Sequence, residues 1–544
     1  MKKTTIKFVA LLLAVALLAG CTAAGNQPPK TDDVQENQFD FGTLPTVGIN
    51  WDAMNSDDET TAPLYPEEVI SVDNYWVYTS TTTLTNPSDP VRYVMIYNPA
   101  VYDEMNPYLD TSRSTGSMGM QVEVDLNRGG LEEERTYMGI DQGKLNEKVP
   151  FDELGGEGDR AQAMITPFRV GDTKIFYCYD TVSMNNPRIA RTFTCRYAGT
   201  NCNVWVADCQ MSEAVVNDYG TQFDNYIYAN VVSTFGPSRF AQYGGKVNLL
   251  YYPMPDGIGG CFGFYDLYAS DQVTLQEITT YGLNTDLDIL HINGNYTSYD
   301  YMQTYMRSTM AHEFQHLICA TNAFENLDFT ICPVWINEAM SGYIEELLYP
   351  GVKEDDFCGH MDAFRQDQLI RNGQSMYNFY NTNTEVGVYG SVYLYAQYVA
   401  NLAGSDVFSS FHRYWRSSYS PTLSDAEALA EAFTMDVHAA VDKSIPYPST
   451  LLFDNEYEAW LSKLTLQFYL ELLSKDDTDP AAFATVDGRD LLYNQINPAT
   501  IEGGGRIIIA LQGDAYTIPY DADRGLIYVG LNADFEPVTD LIYR

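Results

Sequence analysis

The run His312-Glu313-Phe314-Gln315-His316 restricts this chain more than any other stretch. Its two histidines stand four residues apart, and on an α-helix that spacing stacks side chains on one face, one turn apart. Two imidazoles placed in this way can meet one Zn2+ at ~2.0–2.1 Å each. Glu313 follows the first of them, so its carboxylate projects beside the metal. There it can take a proton from a metal-bound water. A catalytic zinc needs a third protein ligand and an open position. Glu338 in Trp335-Ile336-Asn337-Glu338 is the candidate, and 21 residues separate it from His316. That leaves room for a turn and a second helix packed back on the first. Phe329 to Pro333 breaks the helical pattern, and Ile336, Met340, Tyr343, Ile344 and Leu347 resume it as one apolar face. The spacing predicts a helix over 335–348 with Glu338 in its first turn. An H-E-x-x-H can fall on a surface helix by accident. Here two of only six His share the motif, with a Glu at a fitting distance, which favours the metal.

With Tyr389-Gly390 ahead of an aromatic helix, these residues resemble the gluzincin metallopeptidases and are most similar to the hyicolysin family of secreted bacterial proteases. The resemblance runs from about Val170 to about Leu402. It takes in Gly171-Asp172-Thr173, a helix from Tyr219 to Tyr228, and Gly260-Cys261-Phe262-Gly263-Phe264-Tyr265-Asp266-Leu267-Tyr268. It implies that His312, His316 and Glu338 bind zinc, that Glu313 is the base, and that Tyr389 donates to a developing oxyanion. A core aromatic is the competing reading of Tyr389, because 42 Tyr make a chance match easy. Two departures matter. Thermolysin-like enzymes carry an Asp four residues after the Glu ligand to orient a ligand His; here that position is Gly342, so the orienting partner must come from elsewhere. The G-x-M-E-N segment that holds a free amino terminus in zinc aminopeptidases is replaced by Asp286-Leu287-Asp288-Ile289-Leu290-His291-Ile292-Asn293-Gly294, which favours an endopeptidase.

The amino terminus speaks to the compartment. Lys2, Lys3 and Lys7 precede an apolar run from Phe8 to Leu18, too short to span a membrane stably and typical of a signal peptide. It ends Leu18-Ala19-Gly20-Cys21, which resembles the bacterial lipobox and implies lipidation at Cys21. An exported lipoprotein is therefore expected, membrane-anchored on the cell surface or facing the periplasm. Eight Cys follow Cys21, an even count that permits disulfides in an exported chain. Cys319 closes the first predicted zinc helix and Cys332 opens the approach to the second. A bond between them would contribute roughly 3 kcal/mol by loop entropy; buried free thiols are the equal alternative. The formal net charge of −42 argues against nucleic-acid phosphate as a partner. It would suit bound calcium, but no full D-x-D-x-D-G loop is present, and a solvated surface explains it as well.

Length allows two to four domains. Residues 1–21 are the signal peptide and 22–60 an aperiodic tether. Residues 61–211 are a β-rich N-terminal region, with strands at Tyr75–Tyr78 and Tyr93–Tyr97 and a hairpin around Ala198-Gly199-Thr200-Asn201. Residues 212–445 form the catalytic domain. There Val215, Val216, Tyr219, Phe223, Ile227 and Val231 make a helical stripe, Lys246–Tyr252 and Asp286–Ile292 are strands, and Tyr301–Ile318 is the first zinc helix. Asp286–Ile292 is the candidate edge strand for pairing with an extended substrate. Helices are expected at Val388–Leu402, Ser424–Asp442 and Tyr457–Leu473, the last in a helical then β-rich appendage over 446–544, with strands at Arg506–Leu511 and Leu526–Gly530. His291, His360, His412 and His438 are expected to be structural.

The expectation is an α+β protein with a zincin-like (gluzincin) domain: a lipid-anchored zinc endopeptidase acting on extracellular proteins or peptides. Two alternatives stand beside it: a zinc aminopeptidase, and a non-catalytic surface binding lipoprotein on a peptidase scaffold.

Overall fold

The computed structural model describes residues 69–72, 75–78, 82–85, 92–98, 168–179, 188–238, 245–255, 258–263, 266–267, 273–299, 302–325, 333–352, 373, 375–377, 385–404, 406–417, 425–433, 437, 456–474, 504–510, 515–518, 527–536 and 542–543. The expected signal peptide, Cys21 and tether lie outside the described residues. In chain order the strands are β1 (Val69–Val72), β2 (Tyr75–Tyr78), β3 (Thr82–Thr85), β4 (Tyr93–Tyr97), β5 (Thr173–Cys178), β6 (Ile189–Ala198), β7 (Cys202–Val206), β8 (Val247–Tyr252), β9 (Gly260–Cys261), β10 (Asp288–Asn293), β11 (Arg506–Ala510), β12 (Ala515–Ile518), β13 (Ile527–Leu531) and β14 (Ile542–Tyr543). The α-helices are α1 (Glu213–Gln222), α2 (Tyr228–Phe235), α3 (Leu275–Tyr281), α4 (Gln303–Glu325), α5 (Val334–Leu348), α6 (Glu385–Ala403), α7 (Asp406–Ser417), α8 (Asp425–Ala432) and α9 (Glu456–Ser474). The mixture is α+β, as expected. Among the described residues no helix is long and apolar enough to cross a membrane.

The chain divides into two compact units, one of Met1–Ala24, Asp125–His360 and Gly404–Pro421, the other of Gly25–Val124, Met361–Ala403 and Thr422–Arg544. This differs from the division expected at 211/212. Strands β5–β7, placed before that boundary by sequence, share one sheet with β8, β10 and β9, in the order β5-β6-β7-β8-β10-β9. The reason is ladder pairing: β7 runs parallel to β8 from Cys202↔Val247 to Val206↔Tyr251, so the hairpin completes the sheet.

The first unit is built on that sheet and on α4. Strands β8 and β10 are buried along their whole length, as parallel strands covered on both faces must be. Helix α4 is buried without a break from Ser308 to Thr321, so polar as well as apolar positions lie inside. Phe314 on α4 packs against Phe223 and Tyr228, with ring centroids 5.1 and 5.5 Å apart. The predicted stripe from Val215 is one continuous rod, α1 and α2 joined through a π-helical turn at Phe223–Ile227. Ser212 caps its start by accepting from the Val215 amide. The π turn carries Asp224, which accepts hydrogen bonds from the amides of Thr200, Asn201 and Cys202 at 2.7–2.9 Å and from the Tyr197 hydroxyl at 2.9 Å. One buried carboxylate thereby satisfies the tip of the β6–β7 hairpin.

In the second unit the sheet order is β1-β2-β14-β13-β4-β11, with β12 and β3 paired separately. Strand β4 is the hinge of sequence-distant pairing: it lies antiparallel to both β11 and β13, from the far end of the chain. Beneath it the Tyr97 hydroxyl donates to the Ser462 carbonyl on α9 at 3.1 Å, and the buried Arg506 guanidinium stacks 4.6 Å over the Tyr469 ring.

At Gly199 a Cβ would lie 1.8 Å from Asp224 Oδ2. Gly199→Ala is expected to lower stability by about 1–3 kcal/mol, read from the denaturant midpoint, by forcing the carboxylate off the hairpin amides.

Candidate metal centre

Helices α4 and α5 place the three predicted ligands together. His312 and His316 are one turn apart on α4, and their Nε2 atoms lie 2.9 Å apart. Glu338, in the first turns of α5, presents Oε2 at 3.4 Å from His312 Nε2 and 3.5 Å from His316 Nε2. All three side chains are buried. Among the described residues this is the group of His, Cys, Asp and Glu side chains that could hold a metal ion. Tetrahedral ligands at ~2.0–2.1 Å from zinc sit ~3.3 Å from one another, so the two His-to-Glu distances match such a set. Three acceptor atoms from two imidazoles and a carboxylate, turned inward on one point, fit a borderline cation such as zinc.

The helix pair is tied around this point. The Gln315 side-chain amide on α4 donates to Asn337 Oδ1 on α5 at 3.2 Å; within α5 the Ser341 hydroxyl donates to the Glu338 carbonyl at 3.0 Å. The expected apolar face of α5 is buried at Ile336, Met340 and Ile344, but Leu347 is 47% exposed, and Leu348 is buried in its place. The last turn of α5 rotates Leu347 out to solvent while Glu345, a charged residue, turns in.

Glu345 is the functional residue that the sequence reading missed. Its carboxylate accepts from His312 Nδ1, and this pairing turns His312 Nε2 towards Glu338 and His316. It fills the role left open by Gly342. The signal was available: Glu345 is seven residues past Glu338, two helical turns, hence on the same face. Among the described residues His316 Nδ1 has no hydrogen-bond partner.

Burial and charge act against each other here. Burial pushes His312 down, but the Glu345 and Glu338 carboxylates outweigh it and lift the imidazole to about 10. Burial pushes Glu338 up, while the two histidines pull it down to about 2. An imidazole must be neutral to ligate a metal, so metal binding at His312 is coupled to proton release. Glu313 differs. Burial raises it to about 7, and neither oxygen has a hydrogen-bond partner among the described residues. A buried carboxylate with both oxygens unspent is suited to holding and passing a proton.

Glu313 also touches the sheet. A Cβ on Gly260 would stand 3.2 Å from Glu313 Cγ and 2.8 Å from Thr309 Cγ2, so β9 passes closely over the motif helix. Strand β9 is the edge of the sheet, antiparallel to β10. The expectation that Asp286–Ile292 is the edge strand is therefore corrected. Strand β10 has β8 on one side and β9 on the other, and its ladder positions are taken.

Tyr389 is buried on α6 in the second unit. His291 is buried on β10, and His412 is buried on α7 with its ring 5.1 Å from Phe235, consistent with structural roles. His360, His438 and Cys332 lie outside the described residues, and so does one half of the proposed Cys319–Cys332 bond. Cys178, Cys195, Cys202, Cys209 and Cys261 are unpaired thiols.

Glu345→Gln should weaken zinc binding about 10–100-fold, measured by competition with a chelator, because the His312 ring loses its orienting carboxylate. An unchanged affinity would rule that role out.

No family model matches the chain. It is 25% identical over 315 residues to the neutral metalloprotease ShpI of Staphylococcus hyicus, and the match covers 54% of this chain. The chain spans 64% of that relative's length.

Proposed function

We propose that the protein is a zinc-dependent peptidase of the gluzincin type that cleaves within extracellular polypeptides. The observation that carries this reading is the convergence of His312 Nε2, His316 Nε2 and Glu338 Oε2 beside a Glu313 carboxylate that has no hydrogen-bond partner among the described residues. Similarity to a neutral metalloprotease supports it at the level of metallopeptidase chemistry. His312, His316 and Glu338 would hold the ion. When bound, zinc acidifies a coordinated water to a pKa of about 7 and polarises the scissile carbonyl.

The chain's own residues supply the rest. Glu313 takes the proton of the attacking water and returns it to the leaving amine as the C–N bond breaks. Its raised pKa suits both transfers near neutral pH. Glu345 orients His312, and the Tyr389 hydroxyl is assigned the oxyanion by the resemblance to gluzincins. Edge strand β9, running over Glu313, offers its backbone to an extended peptide, which reads polypeptide shape over sequence. The absence of the amino-terminus-binding G-x-M-E-N segment favours internal bonds over terminal ones. The Lys-rich start, apolar run and Cys21 support anchoring of the exported enzyme to a membrane by lipid, on the cell surface or facing the periplasm.

Glu313→Gln is expected to retain stoichiometric zinc and lose about 10²–10⁴-fold in kcat on casein, whereas chelation abolishes cleavage and added zinc restores it. Wild-type turnover by the Gln variant would remove Glu313 from the reaction. Peptides with acetylated and free amino termini should be cut at similar internal bonds. Cleavage confined to free termini would favour an aminopeptidase.

A further inference from the structure

A second buried polar cluster lies on the far side of the sheet from the metal centre. Successive residues on a strand point to opposite faces. Gly260 and its ladder partner Ile292 face α4, so Cys261 and its partner His291 face away. Around His291, Arg188 grips Asp266 with both ends of its guanidinium: Nη1 to Oδ1 and Nη2 to Oδ2, each at 2.8 Å. Asp266 Oδ2 lies 2.7 Å from His291 Nε2, and Asn284 donates to Asp266 Oδ1 at 2.6 Å. The Tyr252 hydroxyl meets His291 Nδ1 at 3.1 Å, and Arg188 donates to the Gly282 carbonyl at 3.2 Å. Arg188, Asp266 and His291 are at most 5% exposed, so no substrate reaches them.

The position of Asp266 in the chain gives the cluster a consequence for the site. It follows β9 by five residues, while every partner named here comes from elsewhere in the unit. Beyond the strand, a Cβ on Gly263 would be 2.8 Å from Tyr179 Oη, the Asp266 amide donates to the Gly263 carbonyl at 3.0 Å, and Asp266 itself sits on the Arg188 fork. Strand β9 is only two residues long and, among the described residues, ladders with β10, while Asn293 donates from its amide to the Gly259 carbonyl at 2.8 Å and from Nδ2 to the Ile258 carbonyl at 2.7 Å. These bonds hold the start of the strand, so the height of its end over Glu313 depends on what pins its continuation. A bidentate guanidinium–carboxylate pair is directional and fixes position, where an apolar contact of the same size would let the segment slide.

We propose that Asp266, gripped by Arg188 and His291, is a positioning residue that sets β9 over Glu313 and so fixes the depth at which an extended peptide lies in the site. The inference rests on the peptidase reading for its substrate, and it has a structural readout that does not.

The test uses zinc-loaded full-length protein, with Asp266→Asn and with the apolar pair Arg188→Leu plus Asp266→Leu, which removes the grip without stranding a buried charge. Amide exchange over 258–263 should quicken about tenfold or more while 308–316 stays as in wild type. KM for an internally cleaved peptide of six or more residues should rise about tenfold, with kcat changed less than about threefold and zinc content unchanged. Unchanged exchange over 258–263 in a folded double variant overturns the proposal. So does faster exchange with an unchanged KM, which leaves the cluster a structural role only. A wild-type protein that cleaves no peptide sinks the peptidase reading instead, and the exchange measurement then still decides whether Asp266 holds β9.

Discussion

Two buried imidazoles and three buried carboxylates share the space between α4 and α5, and the rest of the first unit exists around that concentration of charge. Burying ionised groups costs several kcal/mol each unless they are paired. His312 is paired twice, with Glu345 on one nitrogen and Glu338 on the other. His316 meets Glu338 and His312 through the same Nε2. A divalent cation at the point where three of these atoms converge would balance the set. Glu313 is the member that neither ligates nor pairs, and the same burial that isolates it raises its proton affinity into the range where a base can work near neutral pH.

Geometry of this kind requires two rigid rods at a fixed distance. Helix α4 is held from behind by the sheet and from the side by the aromatic contact of Phe314 with Phe223 and Tyr228. The π turn between α1 and α2 lets one rod serve two ends: it supplies those rings and also Asp224, the carboxylate that closes the β6–β7 hairpin. At the edge of that sheet β9 approaches so closely that glycine is needed at 260, and Arg188, Asp266 and His291 are joined on the opposite face. The helices that carry the candidate ligands and the sheet edge are thus separate devices that meet at Glu313.

Much of this was legible in the chain. The i, i+4 histidines, the spacing to Glu338, the helical stripe from Val215 and the hairpin at Gly199 all follow from local periodicity and turn chemistry, and each element forms where that periodicity places it. The readings that failed were those requiring knowledge of neighbours. Leu347 fits an apolar stripe yet faces solvent, because the last turn of α5 gives its inward position to Glu345. Asp286–Ile292 looks like an edge strand by its place before the motif helix, but a two-residue strand from thirty positions earlier, too short to register as a period, covers it. The division at 211 separates strands that share one sheet, because parallel pairing of β7 with β8 is a long-range hydrogen-bond ladder that composition does not announce.

The amino-acid sequence by itself determined which side chains can bind a cation and which can move a proton, because helical spacing projects His312, Glu313 and His316 in known directions before any tertiary contact forms. Tertiary structure alone decided who supports them. Glu345 reaches His312 only when α5 folds back on α4, and Asp266 reaches Arg188 only when chain 78 residues apart is brought to one face of the sheet. Such pairings obey no local period. They arise because a buried charge must find its partner wherever packing has put one.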